Sequence, residues 1–561
     1  MSGLARRLPR LLACTVPALV ALWLGLGVWG YTVDDAFISL RYSWSLAHGD
    51  GLVFNIGERV EGFSNPTWVL LLAPFVAAGL DGQLAGKAIG LACHVATAAG
   101  VAWGALRVGD RRAGPDEGAV SRAVIAGVAG CLVAWSVPLV NWAVLVLETP
   151  LYTALLAGSF LALLHPHPRA NLVAAALAGL AGVSRPEGPL QAAMLGLALV
   201  VMSTRAWRPA ALWAAGARPA VLVIAPVLAW ALFRWFYYGD IVPNTYYHKG
   251  GGATLAEVHQ YLRPLLTNES VLFVGGAVGL ACCWLFDQRV AGALTLLALG
   301  HVGFLCRVGG DWMSNQRFAS PGLPVLAMAL GAGLSAAAAA APGRAARTSL
   351  AIAALAIAAL HAAQALPDRS VNAAGITLRT DRDTPPHSLV RSLSGSNNIV
   401  AVWVMERAAD GQSLAYSEVG LLRYVTEVRV IDLVGLTDKF MAGATGLDTD
   451  GRVAWLQSQR PEWLLLRTGG VPAIRKLRAS TWLQEEYEVI PGPKSYLAAR
   501  RKDVRGATVA EALANLERAV ERQPRFAAFI QARDKMAARA AAGQGEELAA
   551  TDVPVDPADD Q

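Results

Sequence analysis

Along most of this chain the apolar residues do not alternate with polar ones; they come in long unbroken runs joined by short polar links. Runs at 14–31, 87–106, 219–237, 270–286 and 349–366 are close to the roughly 20 residues that cross a bilayer as helix. The runs between them bring the expected number of spans to about eleven. Continuous runs of this kind predict helices rather than a barrel. After residue 366 the runs stop. Strand-like stretches at 398–405, 428–433 and 463–466, followed by a helical pattern at 509–521, predict a small α/β domain over 367–535. Residues 536–561, acidic and Pro-containing from 543, read as a disordered tail. The expected architecture is a polytopic α-helical membrane protein, residues 1–366, with a long first outer loop at 32–86 and a C-terminal soluble α/β domain. No internal repeat is visible.

Composition agrees with this division. Of 561 residues, 54% are hydrophobic and 16% charged, where a soluble domain carries about 25% charged residues. The formal charge of +6 would suit a nucleic-acid partner, but the positive residues of the membrane half sit in short loops, and topology accounts for them. With the N-terminus inside, the inner loops hold Arg107, Arg111, Arg112 and Arg122, then Arg169, then Arg205, Arg208 and Arg218, then Arg289, then Arg344 and Arg347. The outer loops hold most of the carboxylates. Arg6, Arg7 and Arg10 precede the first run, and no A-x-A-like cleavage site follows it, so the run reads as a retained signal anchor. All six cysteines fall in or beside apolar runs and read as small core residues.

On this topology the candidate chemistry collects on one face. Asp34 and Asp35 follow the first span directly, and ionisable groups at a membrane boundary are costly enough to point to function. An acid beside a like charge and partly buried is raised toward the range of a general base; Asp34 capping a helix that begins near Ala36 is the structural alternative. Glu148 stands at an outer helix end, as capping acid or site residue. Arg185 and Glu187 either pair with each other or contact a substrate. Asn244 suits a sugar hydroxyl and Lys249 a phosphate, while Tyr237, Tyr238, Tyr246 and Tyr247 suit an interfacial aromatic belt. Asp311 follows a Gly pair and is flanked by Arg307 and Arg317, and arginine's planar fork matches phosphate oxygens. No Walker-type loop, His-rich metal spacing or Gly-x-Ser-x-Gly elbow is present, which leaves ATP-driven pumping and serine hydrolysis without support.

Taken together, Asp34-Asp35-Ala36-Phe37-Ile38, the stretch 51–55 with Gly57-Glu58-Arg59-Val60-Glu61-Gly62, Pro243-Asn244-Thr245 and Gly309-Gly310-Asp311 resemble the polytopic glycosyltransferases of the C superfamily (GT-C). Within it they are most similar to the mycobacterial terminal β-(1→2)-arabinofuranosyltransferase group. The stretches 416–420 and 430–438 are similar to the extracytoplasmic end of such enzymes; 310–317 departs from the group, which carries a Phe-Met-His-Gly-Arg run there. The resemblance implies a GT-C-like fold and transfer of a sugar, with arabinofuranose expected, from a polyprenyl-phosphate donor to a cell-envelope glycan or glycolipid. One carboxylate of Asp34 and Asp35 would be the base of an inverting single displacement. Lys249, Arg317, Arg185 and Asn244 would serve the donor, and Glu148, Glu187, Glu61 and Asp311 would complete the site. No cofactor is certain; a divalent cation, Mg or Mn, on Asp34 or Asp35 is left open. The expected location is a bacterial plasma membrane, with site and soluble domain on the extracytoplasmic face, and the expected partners are lipid and glycan, not nucleic acid. The rivals are a polyprenyl-lipid or glycolipid flippase, for which charges inside helices and inverted repeats would be expected, and a glycan-binding scaffold.

Overall fold

The computed structural model describes residues 3–113, 118–167, 169–203, 209–248, 252–311, 313, 315–365, 369–372, 375–378, 389–391, 396–443, 449–468 and 476–542. Helices lie on the apolar runs. Gly3–Gly27, Gly82–Ala113, Ala119–Trp135, Thr149–Leu163, Ala170–Gly182, Gly188–Ser203, Pro209–Tyr238, Ser270–Phe286, Gln288–Val308, Leu323–Ala340 and Gly343–Ala365 pack as a bundle. Among the described residues, six helices are long and apolar enough to cross a membrane. The pair Leu255–Asn268 and Ser270–Phe286, bent by 91°, adds a seventh if it counts as one broken span. The remaining apolar helices are shorter.

Between helices in lipid there is little hydrophobic drive, so close approach of backbones decides packing. At the crossing of Ser270–Phe286 with Leu323–Ala340, a Cβ on Gly279 would lie 2.2 Å from Leu330 Cα, and one on Gly333 would lie 2.0 Å from the Gly279 carbonyl oxygen. Only glycine fits at either position. The arginines expected at inner loops gather at one end of the bundle: Arg10 and Arg122 both pair with Asp110, at 3.2 and 3.0 Å, and Arg111 donates to the Leu164 carbonyl. At the other end Lys87 donates to the carbonyls of Trp29, Tyr31 and Val144. That ammonium stitches the end of the first helix to the turn preceding Glu148.

The expected outer loop, 32–86, contains two helices, Asp35–Ala47 and Pro66–Ala77, the second within the expected 65–80. Asp35–Ala47 buries residues all round its circumference, among them Phe37, Leu40, Arg41 and Tyr42, because it is sandwiched between the bundle and the C-terminal domain. That domain is built on a five-stranded sheet in the order Arg429–Asp432, Ser413–Tyr416, Trp463–Arg467, Tyr496–Arg501, Tyr487–Ile490. Ser413–Tyr416 is parallel to both its neighbours, and the last two strands join antiparallel. The expected strand at 398–405 is instead the helix Ser396–Arg407. A short run apolar on every side cannot be assigned by period; here Val400, Ala401, Trp403, Val404 and Met405 are all buried, as in a helix enclosed on several faces. The helix Val509–Arg522 lies where expected, and Ala527–Ala541 carries helical structure past residue 536, so the expected tail begins later.

The two halves share one core. Phe37, Phe54, Phe63 and Trp68 from the first loop pack with Trp403, Tyr416, Tyr424, Phe526 and Phe529, and Tyr31–Val33 pairs antiparallel with Leu389–Arg391. Polar contacts reinforce it. The Asn55 amide mimics a strand: its Nδ2 donates to the Val430 carbonyl at 2.8 Å and its Oδ1 accepts the Val430 N–H at 3.1 Å. Glu427 receives Arg41, Arg423 and Arg522 at 3.5, 3.1 and 2.5 Å. Burial alone would raise its carboxyl, but the three guanidiniums hold it down at about 2.

A carboxyl depressed on folding stabilises the native state above its unfolded value and loses that contribution as pH falls through its folded value. The expected outcome is that thermal stability of the detergent-solubilised protein drops between pH 4.5 and about 2, and that Glu427→Gln flattens this window. An unchanged acid limb in the variant, read by circular dichroism, would remove Glu427 from the joint.

Candidate functional site

Asp34 closes the turn between the first strand and the helix Asp35–Ala47. It does not cap that helix with its side chain. Its carboxylate reaches the C-terminal domain, where Oδ1 accepts from Leu421 N and Asn397 Nδ2 at 3.1 and 2.9 Å and Oδ2 accepts from Gly420 N at 3.1 Å. The free N–H groups at the head of the helix Val419–Val425 therefore take their acceptor from another domain. The approach is so close that a Cβ on Gly420 would lie 2.2 Å from the Asp34 carbonyl oxygen. Burial, opposed by the Leu421 N–H and assisted by Asp35, raises Asp34 to about 7. Both Asp34 oxygens thus accept from N–H donors, and among the described residues no group of three His, Cys, Asp or Glu side chains is placed to hold a metal ion.

Asp35 is half-buried in the first turn of its helix, one turn before Ser39 and on the same face. Ser39 begins a continuous polar network. Its hydroxyl and the Asn65 side chain bond each other, and Asn65 Nδ2 donates to Glu148 Oε2 at 2.8 Å. Glu148 Oε1 then accepts from Arg185 Nη1 at 2.8 Å, and Arg185 Nε donates to Glu187 Oε1 at 2.5 Å. Arg185 and Glu187 thus pair, and Glu148 bonds across helices rather than capping its own. Glu148 is buried, which would raise it, but Arg185 and Arg317 hold it below the usual carboxylate range.

Two rings flank the Arg185 guanidinium, Tyr152 at 5.5 Å and Phe318 at 5.2 Å. Its Nη2 is buried and makes no hydrogen bond to a described residue. Phe318 also lies 5.1 Å under Arg317, which is paired with Asp311 at 3.0 Å. Tyr261 donates to that same Asp311 at 3.2 Å. The structure therefore brings Asp35, Glu148, Arg185, Glu187, Asp311 and Arg317 to one end of the bundle. Beneath them opens an apolar cavity lined by Thr153, Phe160, Gln191, Leu297, His301 and Met328; Thr153 and Gln191 lie one turn beyond Thr149 and Glu187.

Other candidates serve the joint. Asn244 Nδ2 is engaged by the carbonyls of Gly435, Leu436 and Asp438 at 2.9, 3.0 and 3.0 Å. Glu61 is buried against Arg234, at 2.7 Å, and Trp230; burial raises it to about 7 against the pull of Arg234. Tyr237 and Tyr238 bracket the Leu52 peptide, the former accepting its N–H and the latter donating to its carbonyl, at 3.1 and 2.9 Å. Tyr246 and Tyr247 are exposed. Lys249 lies outside the described residues. Asn65, Arg234 and the trio on Glu427 were missed: each lies in an unremarkable stretch, and, Arg423 apart, its partner is far away in sequence.

Solved structures identify the architecture. At 13% identity, the archaeal oligosaccharyltransferase AglB from Archaeoglobus fulgidus, in complex with an inhibitory peptide and a dolichol-phosphate, aligns with 90% of this chain and 75% of its own, TM-score 0.52. ArnT from Cupriavidus metallidurans, bound to undecaprenyl phosphate, aligns with 87% of this chain and 97% of its own at 14% identity, TM-score 0.53. The chain has the GT-C fold. Within that fold, residues 390–526 match a domain of unknown function, DUF8728. Two terminal β-(1→2)-arabinofuranosyltransferases are similar in sequence. The Corynebacterium glutamicum protein is 28% identical over 56% of this chain and 50% of its own length, and the Mycobacterium tuberculosis protein 33% identical over 40% and 36%. The matches span half or less of these curated relatives.

Removing Arg185 from the GT-C bundle leaves Glu148 and Glu187 buried without their cation, a change that costs about 3–5 kcal/mol. Arg185→Met is expected to lower the thermal midpoint markedly, with Glu148→Gln in the same chain restoring part of it. An unaltered midpoint in Arg185→Met would show that the network is solvated.

Proposed function

We propose that the protein is a membrane glycosyltransferase that moves a sugar, arabinofuranose by its likeness to the two curated relatives, from a polyprenyl phosphate to a cell-envelope glycan or glycolipid. The observation that carries this reading is the buried Arg185 guanidinium, with one nitrogen unengaged by any described residue, set beside Arg317 above an apolar cavity. A phosphate is an anion that suits two fixed guanidiniums. The solved relatives that hold dolichol-phosphate and undecaprenyl phosphate support it.

In this reading Asp35 is the base. It takes the proton of the acceptor hydroxyl as that oxygen attacks the anomeric carbon; the bond from that carbon to the phosphate oxygen breaks on the opposite face, and the configuration inverts. Arg185 and Arg317 take up the charge that develops on the leaving phosphate, where fixed donors act most strongly. Asp34, though its proton affinity suits a base, is closed in by Gly420, Leu421 and Asn397, and geometry takes precedence over acidity. We assign all eleven apolar helices as spans, which sets this end of the bundle and the C-terminal domain on the extracytoplasmic face of a bacterial plasma membrane.

Asp35→Asn is expected to reduce transfer from polyprenyl-phosphoryl arabinose by about 10²–10⁴-fold, the usual contribution of a general base, with unchanged thermal midpoint. Asp34→Asn is expected instead to lower the midpoint and to expose the domain joint to protease. Full activity in Asp35→Asn membranes would overturn the assignment.

A further inference from the structure

The C-terminal sheet has a topological switch point. From Ser413–Tyr416 the chain moves to Arg429–Asp432 on one side, then crosses to Trp463–Arg467 on the other and continues away from it. Where connections leave neighbouring parallel strands in opposite directions, their carboxyl ends leave a crevice, the usual ligand position in open α/β sheets. Here that crevice lies between Tyr416 and Arg467.

Its lining is specific. Glu418 follows the first strand, Arg467 ends the other, and Tyr496 stands opposite Arg467 in the ladder. Arg467 Nη1 lies 3.4 Å from Glu418 Oε1, with the two side chains 40% and 22% exposed. The Tyr416 and Tyr496 rings are 5.7 Å apart at 49°, with their hydroxyls 3.5 Å from each other. Burial raises Glu418, and Arg467 and the Tyr496 hydroxyl oppose this. The part of the crevice toward the helix Val419–Val425 is already filled by Asp34.

The chemistry narrows the occupant. Glu418 repels a phosphate, and the loop 417–419 is not glycine-rich, so a nucleotide does not fit. One acid, one guanidinium and two phenols around a half-open tyrosine ring suit a neutral ligand rich in vicinal hydroxyls, with C–H faces to lie on the ring. We propose that Glu418, Arg467 and Tyr496 form a subsite for the acceptor glycan, which runs along this crevice to present its terminal hydroxyl at Asp35. The proposal rests on the glycosyltransferase reading for its role, but not for its ligand.

The test uses the full-length protein in detergent. A linear arabinofuranose oligosaccharide is titrated by calorimetry, and transfer from polyprenyl-phosphoryl arabinose is assayed with donor and acceptor varied separately. Arg467→Gln and Tyr496→Ala are expected to weaken oligosaccharide binding and raise the acceptor KM by about tenfold or more, as loss of one charge-assisted hydrogen bond would. The donor KM should stay unchanged. Should Tyr496→Ala lower the thermal midpoint, Arg467→Gln, at an exposed side chain, carries the test. Wild-type binding in Arg467→Gln, or no oligosaccharide binding by the wild type, overturns the subsite. Binding that depends on Arg467 without transfer from any lipid-linked donor supports the subsite and sinks the transferase reading.

Discussion

A helix seven residues long in the C-terminal domain begins with N–H groups that have no acceptor on their own domain, and a carboxylate at the mouth of the membrane bundle supplies one. Each group is costly alone: an unbonded buried N–H forfeits its hydration, and a buried carboxylate without donors is strongly disfavoured. Brought together they satisfy one another. This mutual need fixes the two halves in a single relative position, and no side chain larger than hydrogen at Gly420 permits it.

The other contacts of the joint follow the same pattern. Asn55 completes the edge of the strand Arg429–Asp432, Asn244 collects three carbonyls of the loop 435–438, and Glu427 neutralises three guanidiniums drawn from three separate segments. A Cβ on Gly62 would meet Leu436 O at 2.9 Å and Thr437 Cγ2 at 2.7 Å. The motifs of the loop 32–86 are thus the surface against which the C-terminal domain is cast. The helix Asp35–Ala47, held from both sides, becomes a rigid mount for Asp35.

That division explains what the sequence reveals. The apolar helices were legible because a bilayer imposes a length on an apolar run, and the Asp pair, Glu148, Arg185 and Glu187 drew notice because charge beside hydrocarbon is costly. Asn244 and Glu61 were legible as special but not as structural, since a polar residue in a distinctive motif looks the same whether it holds a sugar or a carbonyl more than a hundred residues away. The stretch 398–405 reads as a strand because its surroundings, not its period, decide its form. Lys87 and Arg234 lie inside apolar runs and draw notice only once their partners are seen.

Backbone strain marks the site as preorganised. Val146, two residues before Glu148, has φ +66°, and Asn315 and Gln316, just before Arg317, have φ +59° and +39°. For a β-branched residue the left-handed region is a true outlier, and such positions persist only where their surroundings over-determine them. Both are braced by tryptophan: Trp68 Nε1 donates to the Val146 carbonyl at 3.1 Å, and Trp142 Nε1 donates to that of Asn315 at 3.0 Å. Asn141 adds a bond to the Asn315 side chain. An acid and a guanidinium aimed by strained turns cannot relax away from each other when water or lipid enters between them. The cost of holding charge in place is therefore met in folding, which is what the proposed donor site at Arg185 and Arg317 requires.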